Sequence, residues 1–316
     1  MIGRIRSLRA AGVLGINRRN AAYTLRWNRR EFYPRVDDKL QTKALCEAAG
    51  VPVPRTLAVA RFQHEVRGLP ARLESFDSFV LKPVHGAMGK GVLVVLSRDG
   101  DRLQRTSGSW FPMDEFLFHA SSIVSGLYAL GGQPDAALVE ERIQVHPAMR
   151  SIAVEGVPDV RVLVYRGVPI MGMTRLPTRG SGGRANLHQG AVGAGIDLRS
   201  GAIHHAVLAG RGISKHPESG GEILGVVVPQ FDELLHVGLL AVDQTGLGYV
   251  GADLVLDAVR GPVVLELNAR PGLSVQLANA AGLRPRLDAV DRLLREGMPL
   301  EERLRLGQRI AGGEAR

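Results

Sequence analysis

The sequence predicts an α+β fold with mainly antiparallel sheets. Paired apolar, β-branched runs meet at short glycine turns, as in PDVRVLVYRG and VPIMGMTRLP (158–177), joined at Arg166-Gly167. Helical stretches stand between such pairs instead of alternating one for one with single strands, so a regular βαβ arrangement is not favoured. The 316 residues, 45% apolar and 22% charged, suit a soluble globular chain with two or three subdomains around one site.

The elements follow in order. DDKLQTKALCEAAGVPVP (37–54) reads as a helix with acids at its start and Gly50 as its stop, followed by an extended Val-Pro-Val-Pro. SFVLKP (78–83) and VLVVL (92–96) are strands joined by a glycine-rich loop too long for a tight turn. Residues 113–130 read as a helix ended by Gly131-Gly132, and AALVEERI (136–143) as a strand. After the hairpin at 158–177 comes a polar, glycine-rich flexible loop, 178–193. ILGVVVP precedes a helix over 230–246, and GADLVLDAV with PVVLELNA forms a last hairpin around Arg260-Gly261. The final 30 residues read as helical, with a disordered GGEAR tail. No internal repeat is visible, and no apolar run is long enough to span a bilayer.

Charge is unevenly placed. Of the net +9, most comes from residues 1–35, which hold nine arginines against one acid, Glu31. This reads as a basic arm, with the composition of a segment that touches an anionic membrane surface or a protein partner, or simply a solvated helix and loop around the domain. Two tryptophans and five tyrosines in the whole chain argue against a nucleic-acid platform. The single cysteine, Cys46, forbids an intramolecular disulfide and reads as a small core residue. A cytoplasmic protein is expected, peripheral to the inner face of a membrane if the arm binds lipid. Oligomeric state is not encoded in any of these signals.

The chemistry centres on VVLELNARPGL (263–273). Strand alternation points Val263, Leu265 and Leu267 one way and Glu266 and Asn268 the other. With a loop at 258–261, Asp253 opposes Glu266; with a two-residue loop at 260–261, it opposes Asn268. Either register collects Asp253, Glu266 and Asn268 on one face, and opposed side chains lie about 4.5–5.5 Å apart at Cβ. Clustered carboxylates need a positive charge, and all-oxygen ligands suit Mg²⁺ or Mn²⁺; the alternative is a solvent-facing polar side of the sheet. Upstream, FVLKPVHGAMGKGV (79–92) sets Lys82 before a glycine-rich turn that can bring backbone N–H groups to phosphate oxygens, although it is no Walker A loop.

Taken together, DDKLQTKALCEAAGVPVP, FVLKPVHGAMGKGV, VEERI, PDVRVLVYRG, RANLHQGA, GADLVLD and LELNARPG occur in an order that resembles the ATP-grasp superfamily over residues 37–280. The nearest branch is that of the RimK-type amino-acid ligases and alpha-L-glutamate ligase-like proteins. The resemblance implies two α+β subdomains that clamp ATP between their sheets. It implies that Lys39 and Lys82 hold ATP phosphates and that residues 85–91, with Gly86 and Gly89, close over them. Glu140, Glu141 and Ile143 correspond to the segment that holds adenine. Arg161 and Arg175 correspond to arginines that meet the γ-phosphate or transferred group, and Asn186 to the asparagine of the N-L-H-x-G stretch. Asp253, Glu266 and Asn268 correspond to the metal ligands, and Arg270 with the Gly272 backbone is placed to touch the carboxylate or acyl phosphate. The chain departs from the superfamily in having only 38 residues before Lys39 and a lengthened connection at 144–157, in which Glu155 is a candidate ribose-binding acid.

The expected division is a basic arm (1–36), an N-terminal ATP-grasp part with the glycine loop (37–138), a C-terminal part with the metal site (139–282) and a helical tail (283–316). The expected activity is carboxylate–amine ligation through an acyl phosphate, with glutamate as one substrate and ATP and Mg²⁺ (or Mn²⁺) as cofactors. The alternatives are an ATP-grasp phosphotransferase of a small molecule and a non-catalytic nucleotide-binding adaptor at a membrane. The nine histidines show no zinc spacing; His85 and His188 are candidate proton-transfer groups, and adjacent His204 and His205 would face opposite ways if they stood on a strand.

Overall fold

A computed structural model describes residues 2–86, 89–129 and 131–314, with the side chains of residues 2–5 left aside. The chain divides into two compact units. Unit 1 comprises residues 1–37, 41–53 and 144–316; unit 2 comprises residues 38–40 and 54–143. Both are antiparallel sheets with helices, an α+β architecture.

In unit 2, β1 (Thr56–Ala60), β2 (Phe79–Pro83), β3 (Leu93–Asp99), β4 (Arg102–Arg105), β5 (Trp110–Pro112) and β6 (Ala137–Glu141) form a six-stranded sheet of order β1-β6-β2-β3-β4-β5. Strand β2 buries Phe79 and Leu81 and leaves Val80 and Lys82 on the opposite face, as period-two alternation requires. Helix α2 (Met113–Val124), which follows α1 (Lys39–Ala48), sets Phe116 edge-on to Phe79 at 5.5 Å. The helix read as 113–130 stops at Val124. Gly126 there takes φ +84°, and a Cβ on it would lie 2.3 Å from the Gln133 carbonyl oxygen, so the turn needs glycine.

Unit 1 holds β7 (Asp159–Tyr165), β8 (Val168–Leu176), β9 (Val192–Ile196), β10 (Ile203–Leu208), β11 (Arg211–Gly212), β12 (Tyr249–Asp257) and β13 (Gly261–Asn268). The sheet order is β11-β10-β9-β8-β7-β12-β13. On one face Val160, Val162, Val164, Ala252 and Leu254 pack with Leu234 and Leu235 of α3 (Phe231–Asp243). On the other, Leu163, Tyr165, Met171, Met173 and Tyr249 are covered by Leu287 and Val290 of α5 (Arg284–Leu293, after α4, Val275–Ala278), by Leu306 and Ile310 of α6 (Leu300–Ala311), and by Leu14 and Tyr23. Cover on both faces explains why every residue of β12 is buried.

Residues 1–36 are therefore not a free arm: the described part belongs to unit 1 and contributes Leu14 and Tyr23 to its core. The C-terminal helix reaches Ala311, and Gly313 and Glu314 bond back to Ile310 and Arg309; residues 315–316 of the expected tail lie outside the described residues. The loop expected over 178–193 gives its last two residues to β9. It is closed by Thr178, whose hydroxyl donates to the Gly190 carbonyl, and by buried Ser181. Strand β10 was not expected, because two histidines interrupt its apolar run. A bulge at His204 breaks its alternation, so both imidazoles reach the end of α4, His204 at Asn279 and His205 at the Ala278 carbonyl.

The last hairpin corrects both expected turns. Asp257 pairs with Gly261, so the turn is 258–260, and Asp257 accepts bonds from the Val259 and Arg260 amides across it. A bulge at Leu265 then shifts the register by one, and Asp253 pairs with Glu266. The bulge also breaks the expected Val263–Leu265–Leu267 face: Val264 joins Leu267 in the core beside α3.

Candidate functional site

Strand β7 sets the unit 1 site. Its odd residues, Asp159, Arg161, Leu163 and Tyr165, share one face, polar at one end and apolar at the other. The apolar end is buried by the terminal segments. At the polar end Asp159 lies across from Arg175 of β8, and Arg161 across from Asp253 of β12, which in turn pairs with Glu266 of β13. One face of four adjacent strands thus carries Arg175, Asp159, Arg161, Asp253 and Glu266, with Asn268 two residues along.

The charges are interlocked. Arg161 donates Nε and Nη2 to the two oxygens of Asp253, at 2.6 and 2.5 Å. Arg175 donates Nε to Asp159 at 2.7 Å and Nη2 to both Asp159 and Asp253, the latter at 2.9 Å. Burial opposes the ionised form of Asp253, but Arg161 and Arg175 outweigh it and hold the carboxyl below its ordinary range. Burial pushes Asp159 up, to about 6; Arg175 opposes the rise and Asp253 adds to it. Burial works against the charge on Arg175, yet Asp159 and Asp253 raise its pKa.

The expected trio is therefore brought to one face, with one correction. Asp253 is not a free ligand but the shared partner of two guanidinium groups. Asn268 donates Nδ2 to it at 3.2 Å. Glu266 is half-buried and has no partner among the described residues, and neither has Asn268 Oδ1. Two ionised carboxylates and an amide oxygen are hard ligands of the kind Mg²⁺ takes, so the donor set fits. Among the described residues no group of three His, Cys, Asp or Glu side chains could hold a metal; the third oxygen of the expected trio belongs to an amide.

Beyond Asn268 the chain turns back over the sheet. Gly251 permits this, since a Cβ on it would lie 2.8 Å from Pro271 Cβ. Arg270 is exposed, its guanidinium carbon 5.0 Å from the Tyr33 ring centroid. Asn28 donates to the carbonyls of Ala269 and Tyr249, at 2.8 and 2.7 Å, and accepts from the Tyr249 amide. Asn186 lies elsewhere in unit 1, where its side chain accepts from the His188 amide and caps the 187–189 turn.

Unit 2 carries the lysines. Lys82 pairs with buried Glu140 at 2.5 Å across the β2–β6 ladder, so this acid, expected near adenine, is engaged with a lysine. Glu141 is likewise engaged, accepting from the Arg55 amide at 2.8 Å. Ile143 is buried, and the chain passes from unit 2 to unit 1 immediately after it. Lys39 Nζ donates to the carbonyls of Val84 and Gly86, at 3.1 and 2.8 Å. Of the glycine loop, Gly86 bridges to Ala129 and Gly89 takes φ +71°, while residues 87–88 lie outside the described residues. His85 pairs through Nδ1 with buried Asp135 at 2.7 Å, and its Nε2 is 3.6 Å from Asp38. Glu155, the candidate ribose acid, is exposed and pairs with Arg179 in unit 1.

Sequence reasoning missed Asp159, Asp135, Arg19 and Asn28. The first was findable, because D-x-R on a strand puts acid and arginine on one face. The others are paired over 50 to 252 residues of sequence and leave no local signal.

A profile of the family described as "Sugar-transfer associated ATP-grasp" matches residues 18–292. Among solved structures, the ATP-grasp ligase PsnB complexed with a minimal precursor is 19% identical, with a TM-score of 0.44 over 85% of this chain. This chain spans only 63% of PsnB's length. A RimK domain ATP-grasp protein from Sphaerobacter thermophilus is 15% identical (TM-score 0.44; 85% of this chain, 72% of that one). The D-alanine–D-alanine ligase of Bacillus anthracis is 14% identical (TM-score 0.45; 90% and 71%). No curated protein matches the sequence. No helix among the described residues is long and apolar enough to cross a membrane. The profile covers most of the chain, from the helical turn before Arg19 to the end of α5, and includes every residue of both charge clusters: the chain belongs to the sugar-transfer associated ATP-grasp family.

Proposed function

We propose that the chain is an ATP-dependent ligase that joins a carboxylate to an amine through an acyl phosphate. The observation that carries this reading is the polar face of β7, β8, β12 and β13 in a chain of the ATP-grasp family. In this reading Lys39 and Lys82 bind phosphate oxygens, and the segment around Glu140, Glu141 and Ile143 contacts the base. Asp253, Glu266 and Asn268 hold Mg²⁺, which when bound offsets the negative charge of the triphosphate.

The arginines suit phosphoryl transfer because they are already fixed. Arg161 and Arg175 each give Nε and Nη2 to carboxylates, while Nη1 has no partner among the described residues. Donors held in place before reaction need no reorganisation when charge develops. A substrate carboxylate oxygen attacks the γ-phosphorus, the bond to the β-phosphate oxygen breaks and ADP leaves. The amine then attacks the acyl carbon, phosphate leaves with the bonding pair, and the amine gives up a proton. Arg270 meets the carboxylate or acyl phosphate. No protein nucleophile is required, which suits a chain whose one thiol is buried. Consumption of ATP suits the cytoplasm.

The test is ATP turnover against a panel of acids and amines, with mass spectrometry of the products. Glutamate and other amino acids belong in the panel. Because the family is described as sugar-transfer associated, we add sugar acids and amino sugars to the panel. An amide product with one ADP and one phosphate per bond is expected. A stable phosphorylated compound instead would make the chain a phosphotransferase, and no ATP-dependent product at all would overturn both.

A further inference from the structure

We infer that Arg19 and Arg270 together form an oxyanion site at the end of β13, which takes the carboxylate of the acid substrate. The inference rests on the ligase reading for the identity of the ligand, but the site stands on features of its own.

Arg19 is 7% exposed, yet among the described residues no acid pairs with it. Among the described residues its guanidinium makes one hydrogen bond, from Nη1 to the Pro271 carbonyl at 2.7 Å. Nε is buried without a partner. A guanidinium carries five donors and cannot shed its charge at physiological pH, so a buried one normally meets a carboxylate or phosphate. Here burial is the largest influence and works against the charge, lowering the guanidinium's pKa; the Tyr249 and Tyr33 phenols oppose it, and a second cation, Arg270, adds to it.

Arg270 is equally without an acid partner among the described residues and rests on the Tyr33 ring. It is held from both sides: Asn28 grips the carbonyl before it and Arg19 the carbonyl after it. The fully buried Tyr249 hydroxyl is a further donor without a partner. Arg161 and Arg175, in contrast, are matched by Asp253 and Asp159. One end of the polar face thus has its two arginines matched by aspartates, and the other has two cations with no acid partner among the described residues, so an anion is what the second end lacks.

The local backbone agrees. Arg19 opens a π-helical stretch, Arg19–Thr24, a rare geometry frequent at functional sites. The buried polar atoms without partners are concentrated there, with Asn20 Oδ1, Thr24 Oγ1 and Trp27 Nε1 joining Arg19 Nε and Tyr249 Oη. The Arg-rich N-terminal segment is, on this inference, a wall of the acid-substrate site.

The test follows the side-chain Nε–Hε signal of Arg19 in arginine-labelled full-length protein by NMR. The signal is assigned by its loss in Arg19→Lys or, should that variant not fold, through correlations from the Arg19 backbone. Inorganic phosphate and acetate are titrated separately with MgADP present. Saturable shifts at Arg19 are expected, with Arg270→Met weakening the anion by about tenfold or more, the share of one charged hydrogen bond. Tighter acetate identifies a carboxylate site; tighter phosphate identifies a site for the phosphoryl end of the intermediate. No saturable shift with either anion, or an affinity unchanged by Arg270→Met, overturns the inference. Failure of MgADP to bind, followed separately by calorimetry, would count against the ligase reading and leave the anion result standing.

Discussion

Arg161 and Asp253 are direct neighbours across the β7–β12 ladder, and the guanidinium occupies both oxygens of the carboxylate. Asp253 therefore reaches the metal question already neutralised on one side, while Glu266, its neighbour on β13, carries its charge with no partner among the described residues. The two acids of the expected trio are chemically unequal. Asp253 fixes the arginines as much as it can serve a cation, and Glu266 is the carboxylate with capacity to spare.

Asp253→Asn tests the first role. It leaves the buried guanidinium groups of Arg161 and Arg175 with Asp159 as their remaining carboxylate. Breaking one side of a buried ion cluster destabilises by about 3–5 kcal/mol. Urea denaturation should show that loss, and a double variant, Arg161→Met with Asp253→Leu, should recover part of it. A midpoint unmoved by Asp253→Asn would mean that the four charges do not act as a set.

Glu266→Gln tests the second role and should behave in the opposite way. It removes a half-buried charge that has no partner among the described residues and faces Asp253 across the ladder, so stability should stay within about 0.5 kcal/mol or rise. Calorimetry with ADP, with and without Mg²⁺, should show that the metal-dependent part of the affinity has gone. Retention of that part would remove Glu266 from the ligand set.

Lys82 and Glu140 form the corresponding pair in unit 2, at 2.5 Å and with side-chain exposures of 12% and 4%. In a double-mutant cycle with Lys82→Met and Glu140→Gln, the coupling energy should be about 1–3 kcal/mol, because the pair is largely shielded from water. ADP binding should weaken in Lys82→Met and stay weak in the double variant. Full recovery of binding in the double variant would show that Lys82 serves the fold and not the phosphates.

What was legible in the sequence is what strand periodicity and short spacing encode. Asp253, Glu266 and Asn268 could be put on one face from alternation and a turn, and the face survived although the turn was misplaced, because the bulge at Leu265 absorbed the one-residue error. A bulge leaves no mark in a run of valines and leucines, so the Val263–Leu265–Leu267 face could not have been read correctly. The positive charge between the acids was foreseen as a metal, yet two arginines on neighbouring strands supply much of it, and strand order is not written in any local pattern. That the N-terminal segment, read as an arm or as a solvated helix and loop around the domain, reaches into the unit 1 core was hidden for the same reason. Its arginines advertise charge, whereas Leu14, Tyr23 and Asn28, which tie it to residues more than two hundred positions away, are unremarkable in a sequence.

Cys46 gives a prediction independent of any functional reading. It is fully buried in α1, and burial, with Glu47 adding and Lys43 opposing, pushes its thiol up to about 11. The folded chain thus keeps a proton that the unfolded chain releases at its lower, ordinary pKa near 9. A group raised on folding contributes its stability in full below the unfolded value and loses it as pH rises through the folded one. Two pKa units correspond to about 2–3 kcal/mol, so wild type should lose that amount relative to Cys46→Ala between pH 9 and 11. Other titrating groups cancel in the difference, and the small cavity left by alanine adds only a pH-independent offset. Urea unfolding at pH 8, 9, 10 and 11 measures it, and parallel curves would show that the thiol ionises as freely in the folded protein as in the unfolded one. Native protein at pH 8 should also resist a thiol reagent that modifies the urea-unfolded chain at once, since only the thiolate reacts and the folded state holds neither the charge nor a path to it.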